Sequence, residues 1–160
     1  MERIDQIWKH PVYQENLRLI GELEKDREFC GHPVEHFLDT ARLMYIFSLE
    51  EGGGPGKEII YATALLHDIG RARQMVDGTP HEIASAKLAD QILLDCGFDE
   101  KTRELICEAI LSHREKGRKP SGALAVWLYR ADKKSRNCFC CPVEKKCDWA
   151  EEKKNKAITY

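Results

Sequence analysis

No apolar stretch in this chain of 160 residues approaches the length of a membrane span. The opening Met1-Glu2-Arg3-Ile4-Asp5 also lacks the pattern of a signal peptide. Neither sign of charge dominates: 25 Lys and Arg stand against 27 Asp and Glu, a formal net charge of -2 mixed along the length. Nucleic-acid binding by bulk positive charge is therefore not expected, and there is no polyanionic tail. The strict apolar–polar alternation of a half-buried strand is missing, as are internal repeats and low-complexity tracts. What these absences leave is one all-α domain, expected in the cytoplasm and long enough to bury a core without staples. Seven cysteines would suggest disulfides in a secreted protein. In a reducing compartment they read as thiols or metal ligands, and an odd count cannot pair completely within one chain.

What is present is helical periodicity. A short helix is expected over Ile4 to Lys9, and a second after Pro11 with Leu17, Ile20 and Leu23 on one face. Cys30-Gly31-His32-Pro33 interrupts the pattern, with Pro33 suited to the first turn of a third helix reaching about Leu49. Glu51 to Gly56 is an interhelical loop, and a fourth helix covers Lys57 to Asp68. Thr79-Pro80-His81-Glu82 reads as a capping box opening a fifth helix that Gly97 ends. Asp99 can cap a sixth, and a seventh runs from about Gly122 to Ser135. The tail after Cys147 is charged, with Trp149 as its expected apolar anchor.

The pair His67-Asp68 closes the apolar run Ile59 to Leu66 and precedes Ile69-Gly70-Arg71. Two adjacent polar groups at the end of a core helix are costly to bury without partners, and an imidazole beside a carboxylate suits a metal ion. His113 is in line with Ile106 and Ile110, and Asp132 with Leu124 and Leu128. Taken alone, His113 is also explained as a core imidazole bonded to a carbonyl. Asp132 needs a cation, from a metal or from Arg130, Lys133 or Arg136. His36 sits early in its helix. His81, at a helix start, is either a neutral ligand favoured by the helix dipole or a solvated residue. His10 reads as surface. His32, four residues before His36, is a neighbour of the ligands, a further ligand, or simply the residue before Pro33.

The order His36, then Ala64-Leu65-Leu66-His67-Asp68-Ile69-Gly70, then Ala131-Asp132-Lys133 resembles the HD superfamily of metal-dependent phosphohydrolases. The resemblance covers roughly Pro33 to Ser135 and implies an HD-type helical bundle over residues 1–136, followed by a cysteine-rich tail over 137–160. It implies His36, His67, Asp68 and Asp132 as metal ligands. Members with two metals carry two more histidines in the interval that here holds His81 and His113, so both join the set. Arg71 stands where many members have Lys, which keeps the positive charge, and the interval from Asp68 to His81 is short.

Such a set would hold one or two divalent transition-metal ions, Fe, Mn, Zn or Co, with Asp68 as the natural bridge. A metal-lowered water pKa would supply the nucleophile for hydrolysis of a phosphate ester or anhydride in a nucleotide-like small molecule. Arg71 is the first choice for a phosphate contact, then Lys133, then Arg114 and Arg27. The same ligands also fit a di-iron oxygenase of this fold, or a non-enzymatic domain that senses a ligand through a structural metal. Oligomeric state is not indicated. Cys138, Cys140, Cys141 and Cys147 form a candidate second metal site, for zinc or an iron–sulfur cluster, or are ordinary reduced thiols. The adjacent Cys140-Cys141 fits one tetrahedral ion poorly; three of the four with Cys30 or His32 fit better.

Overall fold

A computed structural model of the chain describes residues 1–112 and 122–160. Among them are eight α-helices and no strand: α1 Glu2–Lys9, α2 Pro11–Leu23, α3 Val34–Glu51, α4 Lys57–Leu66, α5 Arg71–Asp77, α6 His81–Asp95, α7 Glu100–Ser112 and α8 Ala123–Lys134. Three single 3₁₀ turns follow at Cys138–Cys140, Glu144–Lys146 and Glu151–Lys153.

Helix α4 is buried nearly all round, through Ile60, Ala62, Thr63, Ala64, Leu65 and Leu66. A helix apolar on every side belongs at the centre of a bundle. It packs against α3, which also packs against α8, while α6 pairs with α7 and α5 lies on α6. The remaining helices present one apolar face each, such as Ile4 and Ile7 of α1, or Ile106, Ala109 and Ile110 of α7. Trp127 of α8 is buried and donates its indole N–H to Glu51 Oε2 at 2.7 Å, so its one polar atom is satisfied at the end of α3.

Several details depart from the sequence expectation. Pro33 caps α3 rather than entering its first turn. Tyr13 and Ile20 carry the buried face of α2, whereas Leu23 is exposed. Helix α5 was not expected, because only Ala72 in it is buried and so it shows no apolar stripe. Its presence changes the start of α6. Thr79 N–H donates to Asp77 Oδ1, Pro80 is the cap residue, and no side-chain capping box forms. His10 is half-buried and caps α2 by accepting from Val12 N–H. Asp99 caps α7 as expected, accepting from Thr102 N–H at 3.0 Å. The tail is held by buried Asn155, which donates to the Lys134 carbonyl, and by the Tyr160 ring, which meets Phe47 edge-on at 5.1 Å.

Gly70 ends the turn that follows α4 and donates its N–H to Ser85 Oγ at 2.9 Å. A Cβ there would stand 2.3 Å from Ser85 N and 2.6 Å from the Ala84 carbonyl carbon, both backbone atoms. Gly70→Ala should therefore force α4 and α6 apart and destabilise the fold by about 1–3 kcal/mol. Gly21→Ala, with nothing within 4 Å of its added carbon, should stabilise α2 by roughly 0.5–1 kcal/mol. Urea unfolding of the two variants checks the opposite signs.

Candidate metal centre

The turn after α4 carries His67 and Asp68 into the space between α3 and α8. There His36, His67, Asp68 and Asp132, all buried, each place one donor atom within 4.8 Å of the others. His36 Nε2 lies 3.5 Å from Asp132 Oδ1, and His67 Nε2 lies 3.8 Å from the same oxygen and 3.5 Å from Asp68 Oδ2. Helical spacing makes these side chains converge: His36 shares the buried face of α3 with Phe37 and Thr40, Asp132 follows Leu124 and Leu128 on α8, and His67 and Asp68 follow directly on the buried end of α4.

Two further imidazoles meet Asp68. His81 is fully buried rather than solvated, and its Nε2 is 3.2 Å from Asp68 Oδ1. His32, also buried, puts Nε2 at 3.4 Å from Asp68 Oδ2. The two oxygens of Asp68 thus face different imidazoles. His113 and Arg114 lie outside the described residues.

Each of the four imidazoles has its Nδ1 engaged by a group other than Asp68 and Asp132. His67 Nδ1–H donates to the Ala64 carbonyl at 2.7 Å, and a carbonyl can only accept. His32 Nδ1–H donates to Glu24 Oε1 at 2.7 Å, and His81 Nδ1–H to Gln74 Oε1 at 2.8 Å. Ser135 Oγ donates to the Asp132 carbonyl at 2.8 Å, so it is left to accept from His36 Nδ1–H at 3.0 Å. Protonation at Nδ1 leaves the lone pair of each ring on Nε2, the atom aimed at the acids. This is the arrangement by which outer partners orient metal-binding histidines.

The electrostatics agree with it at His36 and His32, whereas His67 is drawn toward its protonated form. Burial pushes His36 down to about 2, helped by Arg136, so this imidazole is neutral. Burial lowers His32 as well, against the pull of Glu24. His67 is also pulled down by burial, but Asp68 and Asp132 outweigh that and raise it. Asp132 shows the converse: burial raises it, and contact with His67 lowers it by more. Among the described residues His36 Nε2 is buried with no hydrogen-bond partner, which a lone pair turned toward a cation explains. Two carboxylates ringed by inward lone pairs fit a divalent transition metal, with nitrogen and oxygen donors mixed.

Cationic residues border the centre at different depths. Arg71 is largely buried, 3.7 Å from Asp68 Oδ2 and 3.9 Å from Glu24 Oε1. Lys133 Nζ is 3.8 Å from Asp132 Oδ2 and stands over the Tyr129 ring at 3.5 Å from its centroid. Arg27 is farther out; it donates to the Cys30 carbonyl at 2.9 Å and approaches Glu24 at 3.9 Å. Sequence reasoning gave no sign of Glu24, Gln74 or Ser135. Nothing in a sequence distinguishes such polar residues from others until the chain is folded.

A helical bundle that gathers buried imidazoles and carboxylates at one point is an α-domain with a candidate metal site at its centre. Residues 34–137 match the model of the HD domain, and the chain belongs to that family. Over 160 residues, all of both chains, it is 44% identical to an uncharacterized protein of Clostridium beijerinckii. It is also 29% identical over 123 residues to Ribonuclease Y of Oleidesulfovibrio alaskensis and 32% over 124 residues to that of Geobacter sulfurreducens. These matches take in 77% of this chain but 22% of each ribonuclease, so the chain spans about a fifth of those relatives. No solved structure matches it. Among the described residues, no helix is long and apolar enough to cross a membrane.

If the outer partners orient the ligands, Ser135→Ala and Gln74→Leu should each weaken divalent-metal binding by about 10- to 100-fold while leaving the helical content intact. Titration with Mn²⁺ or Co²⁺, followed by calorimetry and far-UV circular dichroism, measures both quantities.

Proposed function

We propose that this protein is a metal-dependent phosphohydrolase acting on a phosphate ester or anhydride of a nucleotide-like small molecule. One observation carries the reading: four buried donor residues from two helices and one turn converge within 4.8 Å. His36, His67, Asp68 and Asp132 would hold one ion. Asp68 through its second oxygen, with His81 and His113, would hold another. Iron, manganese, zinc and cobalt all suit the donors. When bound, such a metal supplies a water acidic enough to attack at neutral pH and charge to steady a phosphoryl group.

The protein's own groups account for the rest. Arg71, beside Asp68 and mostly shielded from water, would bind a phosphoryl oxygen where a charge-assisted bond counts most. Lys133, at the rim beside Asp132, would meet a more distal anionic oxygen. Glu24 tethers the His32 ring and stands near Arg71, so it would keep both in place as substrate enters. The family itself favours phosphoryl chemistry. The ribonuclease relatives carry cleavage of RNA in their name, which makes nucleotides the first substrates to try.

A screen of phosphate monoesters, dinucleotides and nucleoside polyphosphates, with metal content measured on the same sample, tests the proposal. Phosphate release should stop on chelation and return with metal, and Asp68→Asn should fall to background without unfolding. Arg71→Ala should lose roughly 10- to 100-fold in kcat/KM, the value of one charge-assisted hydrogen bond. Oxygen uptake by a metal-loaded protein that releases no phosphate would instead mark the di-iron oxygenase. Binding without any turnover would mark a sensing domain.

A further inference from the structure

A second donor cluster lies outside the His–Asp centre. Cys30 belongs to the irregular segment between α2 and α3, more than a hundred positions from the cysteines of the tail. Two contacts nevertheless bring these segments side by side. Arg136 donates to the Gly31 carbonyl, and Lys146 donates to Glu28 Oε1 at 3.0 Å. In the tail, Cys138 and Cys141 lie in one tight turn, closed by Cys141 N–H on the Cys138 carbonyl at 3.2 Å. A second turn, closed by Cys147 N–H on the Glu144 carbonyl at 3.1 Å, sets Cys147 after it. Cys30, Cys138, Cys141 and Cys147 are all half-buried. Cys140 differs: it is exposed, and its thiol donates to the Asn137 carbonyl.

We propose that Cys30, Cys138, Cys141 and Cys147 form a four-thiolate metal site that fastens the tail to the α2–α3 segment, and that Cys140 takes no part. This replaces the candidate set of four tail cysteines and removes its weakness, since adjacent Cys140 and Cys141 no longer have to reach one ion. The remaining tail spacing is Cys-x2-Cys-x5-Cys, with the fourth thiol supplied from a distant loop. Burial raises the Cys30 thiol; Arg136 opposes that, and the thiols of Cys138, Cys141 and Cys147 add to it, so all three lie within electrostatic reach. Lys145, Lys156 and Glu144 line the cleft at Cys138 and Cys141; Lys156 is paired with Glu144 and Glu151, and Lys145 adds a further cation where a thiolate-rich centre would concentrate negative charge.

Among the described residues these sulfurs form no group of three as tight as the 4.8 Å His–Asp group. A zinc ion would draw them inward by side-chain rotation, while an iron–sulfur cluster accepts thiolates set farther apart. Both occupants use the same four donors, and the test separates them.

Protein purified without oxygen is assayed for zinc, iron and acid-labile sulfide, first as the full wild-type chain and then as the double variant H67A/D68N. That variant disables the His–Asp centre and leaves the thiols. It should retain about one equivalent of zinc, or else iron with labile sulfide and a brown colour. Cys30→Ser and Cys141→Ser should each lower that metal at least about tenfold, and Cys140→Ser should not. Should Cys30→Ser fail to fold, Cys30→His, which keeps a ligand of the Cys₃His type, should fold and bind. Refilling with Co²⁺ gives a thiolate-to-cobalt absorbance that reads the site without any reference to turnover. H67A/D68N with neither zinc nor iron, or Cys140→Ser losing metal as Cys30→Ser does, would falsify the assignment.

Discussion

Negative charge carried into an apolar bundle is the constraint around which this molecule is arranged. Asp68 and Asp132 are both buried, one on the turn that closes α4 and one near the end of α8. A carboxylate stripped of its partner in such a place typically costs about 3–5 kcal/mol. Neutral imidazoles soften the cost but do not cancel it, and His36 is held neutral by its own burial. His67 responds by becoming more basic, so its proton and Asp132 share the nearest available compensation. A divalent cation would compensate more completely, because it could meet both acids at once, take the lone pairs of rings anchored through Nδ1 and displace the proton of His67.

That constraint also explains what was legible in the sequence. His67, Asp68 and Asp132 follow core residues at helical spacing, so their inward direction could be read before any fold was known, whereas His36, early in its helix, entered the set through the family resemblance. The all-α class was equally plain, since nothing alternated with a period of two. His81 was ambiguous because a helix start is usually solvated. It is buried where α5, a helix with one core residue, packs against α6 and supplies Gln74 to its ring. His32 was ambiguous for a related reason. Pro33 breaks the helix between it and His36, so the four-residue spacing carried no directional meaning. Glu24, Gln74 and Ser135 had no signal at all, because they act through long-range hydrogen bonds to residues whose positions the tertiary fold decides.

The tail shows the limit of reading by local spacing. Four cysteines within ten residues drew attention to one another, yet exposed Cys140 stands apart from the others. The partner proposed to complete the set is Cys30, whose sequence neighbours gave no reason to look there beyond the need for one more ligand.

The segment from Glu24 to Pro33 therefore serves two purposes, and its lack of helix is the reason it can. An irregular loop beside a buried site must find partners for its backbone groups. Here they come from charged side chains: Glu24 accepts from His32 N–H, Arg27 donates to the Cys30 carbonyl, and Arg136 donates to the Gly31 carbonyl. Each of these residues also touches one of the two donor clusters. Glu24 tethers the His32 ring that faces Asp68, and Arg136 acts on both His36 and Cys30. Pinning the tail to this loop would consequently fix the ring of His32 and the field at His36, so order at the thiols and order at the carboxylates rest on the same short stretch of chain.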